Sequence, residues 1–281
     1  MQTPGAEPRM TDEEFNLVRA LIREHCGLDF AQDSKFLIER RLAPRLEALR
    51  LPSFTEYYLH LRYASTRAAE FEEIVERVTT NETYFFRERY QLDAFSKEIL
   101  PQIAVTPRRH KRLHVWSAGC SSGEEAYTIA MLILETRLFR GWEVRVFGHD
   151  LSRRVIALAR RGVYGKSSFR TTDEQYIRAF FHPVEGGRYE ISDEVRAMVT
   201  FQQVNLLEDS LPGRMADVDV VFCRNVLIYF DQESRRRAID TFHRKLARGG
   251  YLLLGHTESL INLSTAFELV HLEHDMVYRK P

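Results

Sequence analysis

The feature that most limits what this chain can become is a change of period near residue 110. Residues 112–119 (RLHVWSAG) form a short apolar run ending in small residues, and residues 123–140 then bring Tyr127, Ala130, Met131 and Leu134 round at helical spacing. Residues 143–150 (EVRVFGHD) read as a second strand and 152–161 as a second helix. Strand alternating with helix predicts a parallel sheet built from βαβ units. Later runs over 199–205, 218–225 and 251–255, with a helix over 231–247, extend the plan. Two runs, 267–272 and 276–279, flank His274-Asp275 and predict an antiparallel hairpin at the sheet edge. Residues 182–199 break the alternation. Gly186-Gly187 there separates two short polar–apolar runs, which predicts a small β insertion.

Residues 11–79 have another texture. Thr11 with Glu14 is a capping box, Phe15, Val18 and Ile22 repeat at helical spacing with Leu17 and Leu21 beside them, and Gly27 ends the helix. Further helices are predicted over 34–49, with a kink at Pro44, after a second capping box at Ser53 and Glu56, and over 69–78. The predicted layout is a flexible tail over 1–10, a small all-helical domain over 11–79, a linker and helix over 80–110, and an α/β domain over 111–281.

Composition narrows the classes of function. The 40 basic and 40 acidic side chains cancel, whereas a protein held on nucleic-acid phosphates normally carries a basic excess. No apolar run approaches the roughly 18–20 residues that span a bilayer. The N-terminus lacks the apolar core of a signal peptide, so a cytoplasmic protein is expected. Cys26, Cys120 and Cys223 are too scattered for a disulfide framework or a zinc site, and the histidines form no metal cluster, so no metal is expected.

The strongest local signal is Ser117–Glu125 (SAGCSSGEE), which follows a strand and opens a helix. Its spacing is G-x-x-x-G, so the glycines of a pyrophosphate-binding fingerprint are missing. Glu124 and Glu125 would repel a phosphate and suit a cationic group such as an amine. The bland reading is an ordinary tight turn. Asp150 ends the second strand, where a carboxylate in nucleotide-binding sheets takes ribose hydroxyls. It is equally placed to cap the helix near Ser152, and one residue can do both. A ribose site without a pyrophosphate site points to S-adenosylmethionine. Residues 80–87 (TNETYFFR) are richer than a plain linker, and residues 223–231 (CRNVLIYFD) follow an apolar strand at its carboxyl end, although core packing alone accounts for Phe230.

Taken together, TTNETYFFRE, WSAGCSSGEEAYTIAM, VFCRNVLIYFD and GHTESL resemble the chemotaxis receptor methyltransferases of the CheR family. The resemblance runs from about residue 11 to the C-terminus. It implies a helical domain followed by a Rossmann-like seven-stranded methyltransferase domain with a small antiparallel β insertion. It also implies transfer of a methyl group from S-adenosylmethionine to glutamate side chains on the cytoplasmic helices of chemoreceptors, leaving γ-glutamyl methyl esters and S-adenosylhomocysteine. The matched positions make Arg87 and Tyr229 the catalytic candidates. Asn81, Thr83, Arg87, Glu125, Asp150, Asn205, Leu206, Arg224 and Asn225 are the cofactor-binding candidates.

A glutamate carboxylate has a reference pKa of about 4.3 and needs no general base to attack a sulfonium methyl. What remains for the enzyme is position and desolvation. Cys120 and Cys223 read as small packing residues, and Arg235-Arg236-Arg237 as a solvated helix face. Arg40, Arg41 and Arg45 offer a basic face for acidic receptor helices, or plain solvation. The hairpin over 183–189 is compact, so docking on the receptor helices is expected rather than tethering by a receptor C-terminal peptide. No appended interaction module and a monomer are expected. A cofactor-binding regulatory scaffold without turnover is the alternative of another class. Methylation of a small carboxylic acid or of RNA is a weaker one.

Overall fold

The computed structural model describes residues 8–107, 110–208, 215 and 217–281. Residues 1–7, most of the expected flexible tail, lie outside them. The chain forms two compact units. One holds the chain up to Thr80 together with Tyr229–Arg235, and the other holds Asn81–Ile228 and Arg236–Pro281.

The first unit is all-helical, with α1 (Asp12–Cys26), α2 (Lys35–Leu49), α3 (Phe54–Tyr63) and α4 (Arg67–Val78). The Thr11–Glu14 capping box forms, and Gly27 ends α1 in the left-handed conformation at φ 77°. Glu14 is also a staple between helices. Its carboxylate accepts Thr11 N–H at 2.9 Å and both the N–H and the hydroxyl of Thr55, at 2.8 and 2.9 Å. Burial works against its charge, but these bonds outweigh it and hold the carboxyl below its ordinary pKa. Phe15, Val18, Ile22, Ile38, Leu42, Leu46 and Phe54 fill the core. One expectation changes. Ser53 caps α3 by accepting Glu56 N–H at 3.2 Å, but no reciprocal bond from the Glu56 side chain makes it a capping box. The helix α2 runs unbroken from Lys35 to Leu49 with Pro44 inside it.

The second unit begins with α5 (Arg89–Ala94) and α6 (Leu100–Val105), joined by one wide turn over Phe95–Ile99. Then come β1 (Arg112–Ala118), α7 (Glu124–Thr136), β2 (Glu143–Asp150), α8 (Arg153–Arg161), β3 (Val163–Tyr164), α9 (Glu174–Phe180), β4 (Phe181–Val184), β5 (Arg188–Ile191) and α10 (Asp193–Met198). The chain closes with β6 (Val199–Gln203), β7 (Val218–Cys223), α11 (Gln232–Lys245), β8 (Leu246–Leu254), β9 (Glu268–His271) and β10 (Met276–Arg279).

Seven strands form one sheet in the order β6-β2-β1-β7-β8-β10-β9. The first five are parallel, and β10 is antiparallel to both its neighbours. The α/β fold with a seven-stranded sheet and an all-helical N-terminal part is therefore as the sequence implies. Strand β7 is buried at every position, as a parallel strand covered on both faces must be. The small second sheet, β3-β5-β4, turns at Gly186 and Gly187, both at positive φ. It recruits Val163–Tyr164 from outside 182–199, and residues 193–198 of that span are helical. Strand order reverses between β1 and β7, so the crevice for a ligand opens at their carboxyl ends.

Candidate active site

Three motif segments converge on that crevice. The turn after β1 works because Gly119 and Gly123 take φ of 84° and 94°, which side chains resist. A Cβ on Gly119 would lie 2.3 Å from Val226, and one on Gly123 would strike Ala159 and Phe201 at 2.9 Å. Across the turn, Asp150 at the end of β2 accepts Ser121 N–H at 2.8 Å and Ser152 N–H at 3.0 Å. The cap of α8 is Ser152, whose hydroxyl accepts Val155 N–H, so Asp150 is not that helix's N-cap. Ser121 also donates its hydroxyl to the Asn81 carbonyl at 3.2 Å, which brings the 80–87 segment against the glycine turn.

The glutamates of the turn part company. Glu124 points away and accepts the Ser122 and Ser168 hydroxyls at 2.7 and 3.0 Å. Burial raises its pKa. Glu125 accepts the Ser117 hydroxyl at 2.7 Å and meets Arg224 at 3.2 Å. Burial raises its pKa too, with the guanidinium of Arg224 pulling the other way. The expected acidic pair is therefore one carboxylate paired with Arg224 and one packed against serines.

Arg224 is the hub. Its guanidinium is 2% exposed and donates to Gln91 Oε1 at 2.6 Å, Glu125 Oε2 at 3.2 Å, the Arg87 carbonyl at 2.5 Å and Glu88 Oε2 at 3.1 Å. Glu88 in turn accepts Asn225 Nδ2 at 3.3 Å. Arg87 stands between Phe86 and Glu88, two non-glycine residues at positive φ, 60° and 54°. Such strain persists only where neighbours over-determine it. Here Thr128 Oγ1 accepts Phe86 N–H at 3.3 Å, the Phe86 ring packs on Tyr176 at 4.3 Å, and Arg224 holds Glu88. The Arg87 side chain donates to the Glu82 carbonyl at 2.8 Å and lies over the Tyr84 ring.

Among the other expected site residues, Thr83 is half-buried in the 80–87 segment. Asn205 and Leu206 follow β6, with Asn205 Oδ1 accepting Leu207 N–H at 3.1 Å and Leu206 buried. Tyr229 belongs to the helical unit, where its carbonyl accepts Asp29 N–H at 2.9 Å. Cys120 and Cys223 are buried thiols, and burial pushes both well up, away from the reactive thiolate. Sequence reading missed Glu88, Gln91 and Thr128. Glu88 lies in a motif singled out there, whereas nothing local marks the other two.

Arg45 does not contribute to a basic face. It forms a two-bond ion pair with buried Glu70, at 2.9 and 2.6 Å, and is 16% exposed. Arg41 donates to the Val78 carbonyl at 2.7 Å, and Arg40 is exposed. Among the described residues no helix is long and apolar enough to cross a membrane. A surface cavity of about 620 Å³, lined by Leu134, Phe139, Trp142 and Tyr176, lies at the opposite end of α7 from these motifs.

The crevice fits a ligand with a cationic amine and a ribose. Two carboxylates, Glu88 and Glu125, share one guanidinium, which leaves an excess of negative charge. Asn225 Oδ1 is a buried acceptor without a partner among the described residues. Asp150 offers the acceptor that ribose hydroxyls require. The fold and this crevice define a methyltransferase domain of the S-adenosylmethionine-binding class.

Two family models match the chain: the CheR methyltransferase all-alpha domain over residues 13–79, and the CheR methyltransferase SAM-binding domain over 81–276. Chemotaxis protein methyltransferase 2 of Vibrio cholerae is 32% identical over 273 residues, covering 97% of this chain and 94% of that one. Chemotaxis protein methyltransferase 2 of Pseudomonas aeruginosa is 34% identical over 259 residues, covering 90% and 89%. Among solved structures, the N-methyltransferase NodS of Bradyrhizobium japonicum with bound S-adenosyl-L-homocysteine is 18% identical, with a TM-score of 0.42 over 72% of this chain and 90% of that one. The chain belongs to the CheR methyltransferase family, whose SAM-binding domain makes it an S-adenosylmethionine-dependent methyltransferase.

Proposed function

We propose that this chain methylates glutamate side chains of chemoreceptors, forming γ-glutamyl methyl esters for adaptation in chemotaxis signalling. The observation that carries the reading is the Arg224 cluster. It ties the strained Arg87 segment, Glu125 of the glycine-turn helix and the end of β7 into one fixture at the switch point.

S-adenosylmethionine supplies an electrophilic methyl on a sulfonium sulfur. A receptor carboxylate oxygen attacks that carbon in line. The O–C bond forms as the C–S bond breaks, the electron pair stays on sulfur, and no proton moves. The chain's task is placement. Arg87 orients the incoming carboxylate, and Tyr229, from the CRNVLIYFD motif, is the second catalytic candidate. Asp150 takes the ribose, Asn205 and Leu206 flank the adenine, and Asn81 and Thr83 line the same crevice. Glu125, Asn225 and the negative excess receive the amine. The Arg224 side chain is committed to its neighbours, so its proposed part is to hold Glu125 and the Arg87 backbone. Arg40 is the exposed charge proposed to meet acidic receptor helices. Its reversal to Glu should raise the KM for receptor and leave cofactor affinity unchanged.

The test is transfer of label from methyl-labelled S-adenosylmethionine to the cytoplasmic part of a chemoreceptor from the same organism. Label released by mild alkali and lost in Arg87→Ala is the expected result. Cofactor binding without such label would sink the reading and favour a scaffold without turnover.

A further inference from the structure

We propose that Glu258 is a positioning residue of this site, acting through Asn225; the inference rests on the methyl-transfer reading above. Glu258 lies in GHTESL, beyond β8, and touches none of the expected cofactor residues except Asn225. Its carboxylate gathers four main-chain donors. Oε2 accepts Asn225 N–H at 2.8 Å and Gly255 N–H at 2.7 Å. Oε1 accepts Val226 N–H at 3.0 Å and Ile228 N–H at 3.2 Å.

These donors need such a partner. The parallel ladder of β7 and β8 ends at Cys223↔Leu254, and the chain beyond Cys223 turns back through Asn225 at φ 58°. Past the last rung, no described strand pairs with those amides. Three of the four bonds are part-buried, where an unpaired main-chain donor is costly, and that of Ile228 is exposed. One carboxylate replaces the missing rungs on both strands. The fit is close, since a Cβ on Gly255 would lie 2.7 Å from both Asn225 N and Glu258 Oε2.

The consequence falls on the Asn225 side chain. Glu258 fixes its backbone, and Glu88 takes Nδ2 and so fixes the rotation of the carboxamide. Oδ1, a buried acceptor without a partner among the described residues, is then the end presented to the ligand amine. A glutamine at 258 keeps the shape but sets an NH₂ against two N–H donors. It must therefore release one side of the turn.

The experiment is calorimetric titration of the full chain with S-adenosylhomocysteine. Glu258→Gln should weaken binding about tenfold or more, the scale expected for losing a charge-assisted bond. The double variant Glu258→Gln/Asn225→Ala should bind no more weakly than Asn225→Ala alone, because the two residues act as one unit. Unchanged affinity in Glu258→Gln, or losses that add, would overturn the proposal. If Glu258→Gln does not fold, native-state hydrogen exchange of the unaltered protein decides. The amides of Asn225, Val226 and Gly255 should be protected like those of β7, and loop-like exchange refutes the clamp. Failure of the unaltered protein to bind S-adenosylhomocysteine would instead strike the methyl-transfer reading, and exchange would still report on the clamp.

Discussion

Each unit buries an arginine against glutamate, and the two clusters are built for different ends. In the helical unit Arg45 meets Glu70 fork to fork, and Tyr57 adds its hydroxyl to the same carboxylate at 2.6 Å. One cation faces mainly one anion, and the pair closes on itself between α2 and α4. In the sheet unit Arg224 spreads over four residues in two stretches, 87–91 and Glu125, with two carboxylates sharing its charge. The first arrangement stabilises a contact. The second holds apart-in-sequence segments in register around a crevice and leaves negative charge for a ligand to neutralise. A buried ion pair is weak evidence for stability by itself, so the sharing of one cation between two carboxylates distinguishes the second.

The largest expected effects come from breaking each cluster on one side. Glu70→Ala should cost about 3–5 kcal/mol, since it strands a mostly buried guanidinium. Affinity for S-adenosylhomocysteine should not change. Arg224→Met should cost a similar amount and also abolish measurable binding. Denaturant unfolding with calorimetry reads both, and loss of binding in Glu70→Ala would break the comparison.

Acid separates the units next. His149 in β2 is fully buried, and burial pushes its pKa down to about 4; His114 is lowered by the same cause. The unfolded chain takes up a proton near pH 6.5 that the native sheet refuses. Stability is therefore present above pH 6.5 and lost as pH falls towards 4, by up to about 3 kcal/mol for His149. His149→Asn should flatten that limb in a pH series of melting curves. An unchanged slope would show that acid acts elsewhere.

Glycine replacements give smaller effects. Gly119→Ala meets both a positive φ and Val226 at 2.3 Å, whereas Gly141, at φ 76°, has nothing within 4 Å of its would-be Cβ. The first should cost about 2–3 kcal/mol and weaken cofactor binding, and the second about 1 kcal/mol with binding intact. Equal costs would mean that backbone strain, not space, governs the turn. Smallest of all, Arg45→Met with Glu70→Leu and Tyr57→Phe should change stability by only about 1 kcal/mol, because removing both charges and the hydroxyl that bonds Glu70 leaves no polar partner stranded. A large loss would mean that the helical unit needs this pair as much as the crevice needs Arg224.

Much of this was legible in the chain itself. Periods of helix and strand, the Thr11 and Gly27 caps, the edge hairpin and the glycine turn follow from local chemistry, which neighbours in sequence decide. The four motifs also marked segments that the fold brings together. Partnership was not legible. Glu124 and Glu125 are adjacent letters, yet one packs on serines and the other on Arg224. Arg40, Arg41 and Arg45 read as one basic face until Glu70, 25 residues on, took Arg45. The Arg224–Arg87 and Arg224–Gln91 bonds cross 137 and 133 residues of chain. Local pattern determined which elements form and where the crevice opens. Only the folded sheet decided which charges face each other, because a buried charge is settled by whatever the fold places beside it.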